Sequence, residues 1–260
     1  MAVAAVAAAA VVAGVVLATR QDPAQPKVLC TGRLAAVVVP GVPSTQVQAV
    51  RAAFAKGARA AALALEPLAQ EHPRDSVVQF NYGRALYCAG YIAEGQAALR
   101  RAKAVGRNTY YGVTADNLLH PEFFSNGYPV LQYSGHDPLL IQGQIEQRRF
   151  HQVTAERLYE RAARLHPDSA EAQVAAAVGR FDMDDLSASF SRLGPLVKRF
   201  PHSQSVRFHL GLLLAWTGQR APATREFRLA RALGPGTMLG KEAAAFLRGL
   251  ATPGTGAPKR

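Results

Sequence analysis

The sequence predicts an all-α protein: an α-solenoid of about five helical hairpins, closed by a capping helix and preceded by a single apolar helix. Three observations carry this. Pro167, Pro201 and Pro235 follow one another at intervals of 34 residues, the kind of period a structural repeat produces. Between them, pairs of amphipathic stretches with helical spacing flank a glycine-containing or polar turn. Alanine, a strong helix former, supplies much of the 49% hydrophobic content.

The first element is the apolar segment 1–19. Met1 to Ala18 carries no charged or strongly polar side chain, and as a helix it would span about 27 Å against a ~30 Å hydrocarbon core. Arg20 stands where a signal peptidase would cut, so the segment reads as a membrane anchor ahead of a cleaved signal. Arg20, Lys27 and Arg33 all follow it, which by the positive-inside rule would hold the rest of the chain in the cytoplasm. A basic stretch ahead of the run would invert that, and the layout of anchor, linker and helical domain favours an outward-facing domain. Residues 20–41, with Pro23 and Pro26, read as a linker.

Residues 42–109 hold two repeat units and residues 136–237 three. The clearest copy is 204–237: Leu210-Gly211, then Gly218 in the turn, then Ala223, Phe227 and Ala230 on the second helix, ending at Pro235. The unit starting at His136 places Gly143, Ala155, Tyr159, Ala162 and Pro167 in the same columns. The unit starting at Ala170 is looser, with Ala177, Ser189 and Leu193 there. Upstream, Gly83, Gly90, Leu99 and Ala102 fit one unit, and Ala49, Ala61, Leu65 and Pro73 another. The small residues let neighbouring backbones approach, the large ones fill the gap, and proline ends each second helix because it has no N–H. A single hairpin of this kind cannot bury its apolar face, so the units must stack. Residues 238–251 read as the capping helix and 252–260 as a disordered tail.

The frame breaks at residues 110–135, where six of 26 residues are aromatic against 8% overall. Gly112, Pro121, Gly127 and Pro129 rule out two full helices, and Thr114 is placed to cap a short helix ending at Leu119. The segment reads as an irregular insert whose aromatics pack on the flanking hairpins. The functional reading is a lid or lip on the groove, with Asp116, His120, Phe123 and Tyr128 as candidates.

The repeat resembles the tetratricopeptide repeat (TPR) family over roughly residues 42 to 237. The resemblance implies antiparallel helix pairs stacked into a right-handed superhelix with a concave groove lined by the first helices. By repeat position, Phe80, Arg84, Tyr87, Arg148, Val174, Val178, Phe208, Leu212 and Trp216 would face that groove. The family's carboxylate clamp needs Lys and Asn at defined groove places. Gln46, Phe80, Leu140, Val174 and Phe208 occupy the first of these, so that ligand type is not expected.

No phosphate-binding glycine loop, zinc helix or serine elbow occurs, so no catalytic residue, cofactor or metal is expected, and the chain reads as no enzyme. Asp182, Asp184 and Asp185 read as helix-capping residues at a repeat turn. His72, His166 and His202 precede repeat-ending prolines and read as local helix-end residues. Cys30 and Cys88 match no metal spacing; they could form one disulfide, but the helical pattern around Cys88 makes it read as a small buried residue. The net charge of +12 is spread out, densest at Arg100, Arg101 and Lys103.

Function follows as an expectation: a non-enzymatic interaction scaffold or chaperone-like adaptor at a membrane, holding a protein or peptide segment in the groove. The layout is similar to the membrane-anchored repeat chaperones of c-type cytochrome maturation. The alternative is an accessory or regulatory subunit binding an anionic polymer, nucleic acid or cell-wall polymer, through its arginines. Basic charge without a motif does not make nucleic acid the expected partner.

Overall fold

A computed structural model of the chain describes residues 30, 42–120 and 130–251. The anchor segment, most of the linker, Phe123, Tyr128 and the tail lie outside the described residues. Among those described, no helix is long and apolar enough to cross a membrane.

The described chain is helical, with no strand among the described residues. Hairpins pair α1 (Ser44–Lys56) with α2 (Ala58–Glu71) and α3 (Ser76–Cys88) with α4 (Ile92–Val105). A single helix, α5 (Tyr110–Leu119), packs on α3 and α4. After residues 130–137, α6 (Pro138–Arg148) pairs with α7 (Gln152–Leu165), which stacks on α8 (Ala170–Gly179). Then come α9 (Leu186–Leu193) and α10 (Leu196–Arg199), the hairpin of α11 (Gln204–Trp216) and α12 (Arg220–Leu233), and α13 (Met238–Ala251) packed on α12.

The repeat frame explains where these helices start. Asp75, Asp137, Ser169 and Ser203 each stand just before a first helix and accept backbone N–H groups of its first turn, as in Val77 N to Asp75 at 2.8 Å. Asp185 caps α9 the same way, as expected, but Asp182 and Asp184 do not: Asp182 accepts from the Asp184 N–H, and the Asp184 carboxylate pairs with Lys103 and His120. The tight turns after α3 and α11 use Gly90 and Gly218 at positive φ. Phe150 takes the matching place after α6 at φ 66°, an unfavourable conformation for an aromatic residue, and its ring meets Tyr110 edge-on at 4.9 Å.

The buried side chains form a row of clusters rather than one centre: around α1–α3, around α3–α5, around α6–α11 and around α11–α13. That is how stacked hairpins bury their apolar faces, each against its neighbours. The small column works as expected. A Cβ on Gly143 or Gly211 would meet the ring of Tyr159 or Phe227, both fully buried.

Three readings change. The second helix of the loose unit is split into α9 and α10 at Gly194-Pro195, where proline has no N–H to continue the helix. The insert's helix starts at Tyr110, capped by Thr109 and not by Thr114. Tyr110 is the residue at which the broken frame would have opened a new unit. Cys88 is not a small packing residue: at the end of α3 it is disulfide-bonded to Cys30, with Cα atoms 5.5 Å apart.

The cap α5 repeats the design of α13. In Gly106-x-x-Thr109-x-x-Gly112 and Gly234-x-x-Thr237-x-x-Gly240, each threonine hydroxyl donates to the first glycine's carbonyl and accepts from the last glycine's N–H. A Cβ on Gly112 or Gly240 would lie 2.0 Å from the carbonyl oxygen of Gly106 or Gly234. The chain therefore stacks as two short arrays, 42–119 and 138–251, each closed by a cap.

Candidate functional site

The nine positions assigned to the groove divide by burial. Phe80, Tyr87, Val174, Val178, Phe208 and Trp216 are buried and pack between helices. Phe208 lies against Phe227, and Trp216 against Phe181 with ring centres 5.0 Å apart. Leu212 is half-buried on the α11–α13 cluster. Arg84 is half-buried on α3, and burial lowers its pKa, opposed by Tyr110. Arg148 is exposed. On α6 it shares a face with Ile141, Gln144 and Ile145, at helical spacings of three and four. Ile141 and Ile145 are exposed apolar residues.

Beside that face lies a feature with no counterpart among the groove candidates. Residues 130–133 run without helix across first helices of the second array. The Leu131 N–H donates to Gln147 Oε1 at 3.0 Å, and the Leu131 carbonyl accepts from Gln144 Nε2 at 2.8 Å. The next N–H, of Gln132, donates to His209 Nε2 on α11 at 2.9 Å. Successive N–H groups thus reach opposite neighbours, the alternation of an extended chain. The Leu131 side chain is 1% exposed in the α6–α11 cluster, and Tyr133 packs against the same cluster.

Of the polar partners, Gln147 and His209 are themselves buried and Gln144 is half-buried. Gln147 also accepts from the Tyr159 hydroxyl at 3.1 Å. His209 Nδ1 lies 2.8 Å from the Ser205 carbonyl oxygen, which can only accept, so the proton sits on Nδ1 and Nε2 is the acceptor. Burial pushes the His209 pKa down to about 4, against the opposing hydrogen bond to Ser205. The sequence reading did not single out Gln144, Gln147 or His209. Little in the sequence set them apart, because α6 also carries Gln142, Glu146 and Arg148, and α11 also carries Gln204, Ser205 and Arg207.

A second feature lies where the two arrays meet. Helix packing runs between neighbours within each array, and the arrays meet largely through side chains. Asn108 bonds Thr154, Tyr110 meets Phe150, and a charged cluster joins α4 and α5 to the turn before α9. In it, Lys103 Nζ lies 2.8 Å from Asp116 and 2.5 Å from Asp184, and His120 Nε2 lies 2.9 Å from Asp184. Asp116 is fully buried. Burial pulls the Lys103 ammonium down, but its bonds to Asp116 and Asp184 together hold it above its ordinary value. Lys103 in turn holds Asp184 below the usual carboxylate range. Alongside runs a cavity of about 390 Å³ lined by Arg100, Arg107, Val153, Glu156 and Phe181 among others.

Asp116, His120 and Asp184 bring ligand atoms within 4.8 Å of one another, compact enough for a metal ion. Lys103 already balances both carboxylates, so a divalent ion would have to displace it. Two insert candidates, Asp116 and His120, thus meet in one cluster at the junction of the arrays.

The fold defines an all-helical protein of stacked hairpin repeats. No family model matches the chain, and no curated protein does. Among solved structures it is similar to one titled MamA AMB-1, at 16% identity and a TM-score of 0.30, over 75% of this chain and 100% of that one.

Proposed function

We propose that the chain is a non-enzymatic interaction scaffold, or chaperone-like adaptor, that holds a non-helical segment of a partner protein on the face formed by α6 and α11. One observation carries this reading: that face already binds a polypeptide, residues 130–133, through hydrogen bonds to backbone groups and a buried leucine. Backbone recognition with apolar side-chain pockets suits an extended segment. The exposed Ile141 and Ile145 beside Gln144 extend the surface. The apolar run 1–19 is the tether to a membrane. The Cys30–Cys88 disulfide favours a domain outside the cytoplasm, because such bonds persist in oxidising compartments.

The test is photo-crosslinking in native membranes from Ile141 and Ile145 on α6 and from Arg225 on α12. The reading predicts one protein adduct from the α6 positions, absent from Arg225 and retained at high salt. Adducts of equal yield from all three positions would overturn it. So would capture of nucleic acid or cell-wall polymer lost steeply with salt, the outcome for binding through the arginines.

A further inference from the structure

We propose that residues 130–133 are a strap, an intramolecular ligand that occupies the partner site on α6 and α11 and that a partner segment must displace. The proposal rests on the scaffold reading above and adds the regulation of that site and the chemistry of its ligand.

The contacts are those of a ligand on a surface. Among the described residues, no backbone group of 130–133 bonds to another backbone group. The Leu131 N–H and C=O and the Gln132 N–H are met by side chains of Gln147, Gln144 and His209. Leu131 and Tyr133 have the apolar neighbours any core insert has, and buried backbone groups need partners in any case; here those partners are side chains of other helices, as they are for a bound peptide. Buried amide and imidazole groups cost free energy unless bonded, so they fit a place where one polypeptide is exchanged for another making the same bonds. The strap runs into Asp137, the N-cap of α6, so it stays near its site at high effective concentration.

The same contacts define the competitor. Leu131 and Tyr133 are two residues apart and pack on one cluster. A partner segment therefore carries an aliphatic residue followed two positions later by an aromatic one. The residue between them must supply an N–H, because His209 Nε2 has no proton to donate. Proline there is rejected.

The test uses the full chain and a fluorescein-labelled peptide of residues 130–135, VLQYSG, read by fluorescence polarisation. Leu131→Asp, which cannot keep a carboxylate in the apolar cluster, and Gln132→Pro, which removes the donor to His209, both free the site. Each is expected to bind the peptide at least about tenfold more tightly than the unmodified chain, because a competent fraction below one weakens apparent affinity in proportion. His209→Ala added to either variant, and the peptide VLPYSG, are expected to abolish binding. Equal binding to the unmodified chain and both variants overturns the strap, as does no binding to either. Unfolding of both variants also overturns it, since a segment whose loss unfolds the array is core. So does a wild-type dimer that dissociates on Leu131→Asp, which would place the segment on a second copy. Peptide binding without any adduct from Ile145 in membranes would leave the strap standing and defeat the scaffold reading. An adduct without peptide binding would do the reverse.

Discussion

At the residue scale, two buried polar side chains have consequences that can be measured. His209 is held neutral, its folded pKa of about 4 below the ordinary 6.5 because burial disfavours the cation. Its contribution to stability is complete above about pH 6.5 and is lost as pH falls toward 4, since the unfolded chain takes up the proton first. The loss has an upper bound of ~3 kcal/mol. Thermal melts between pH 7 and 4 are expected to show a shallower pH dependence in His209→Gln than in the unmodified chain; parallel curves would refute the neutral buried histidine. Around Lys103, Asp116 is fully buried and the Asp184 side chain is 63% exposed. Asp116→Ala is expected to cost about 3 kcal/mol in urea denaturation, because it leaves a partly desolvated ammonium short of its buried partner. Asp184→Ala should cost under ~1 kcal/mol, as exposed pairs do.

At the element scale, the two caps carry the clearest prediction. Gly112→Ala and Gly240→Ala put a Cβ against a backbone carbonyl that cannot move aside. Each is expected to destabilise its array by about 2 kcal/mol or more, with loss of the cap helix. Gly249→Ala, on the same helix as Gly240 but with nothing within 4 Å, should stabilise by up to ~1 kcal/mol. If all three behave alike, close approach is not what those glycines provide.

The hairpins were legible because proline, glycine and aromatic columns recur at 34 residues and each has a local cause. The cap α5 was legible in principle, since the Gly-x-x-Thr-x-x-Gly spacing occurs twice, at 106–112 and 234–240. Thr114 competes with Thr109 as the cap because a threonine placed two residues past Gly112 fits the same N-cap rule, and only the structure shows which one accepts the first-turn N–H. The groove was less legible. Helical periodicity places Phe208 and Val174 on the right helices, but core-facing and groove-facing positions sit one residue apart, and burial separates them only in three dimensions. The insert 110–135 stood out by its aromatics, but nothing in it singled out 130–133, because the side chains that hold that segment lie outside the insert, on α6 and α11.

At the scale of the molecule, the chain is two capped arrays joined by side-chain contacts, with a disulfide fastening Cys30 to the first. The bond closes a loop of 58 residues, so reduction is expected to remove ~2–4 kcal/mol. Calorimetry with and without reductant, with Cys88→Ser as control, should show a melting temperature that falls on reduction in the unmodified chain and stays constant in the variant. An unchanged melt in the unmodified chain would show that the bond constrains nothing. The account also requires that one part of the second array leave without unfolding the rest. Residue-resolved amide exchange measures this directly on the unmodified protein. The account predicts that the Leu131 and Gln132 amides exchange by local opening, at least ~100-fold faster than those of the α11 core from Leu210 to Leu213, and with little denaturant dependence. Exchange of all these amides at one rate, with the denaturant dependence of global unfolding, would contradict it.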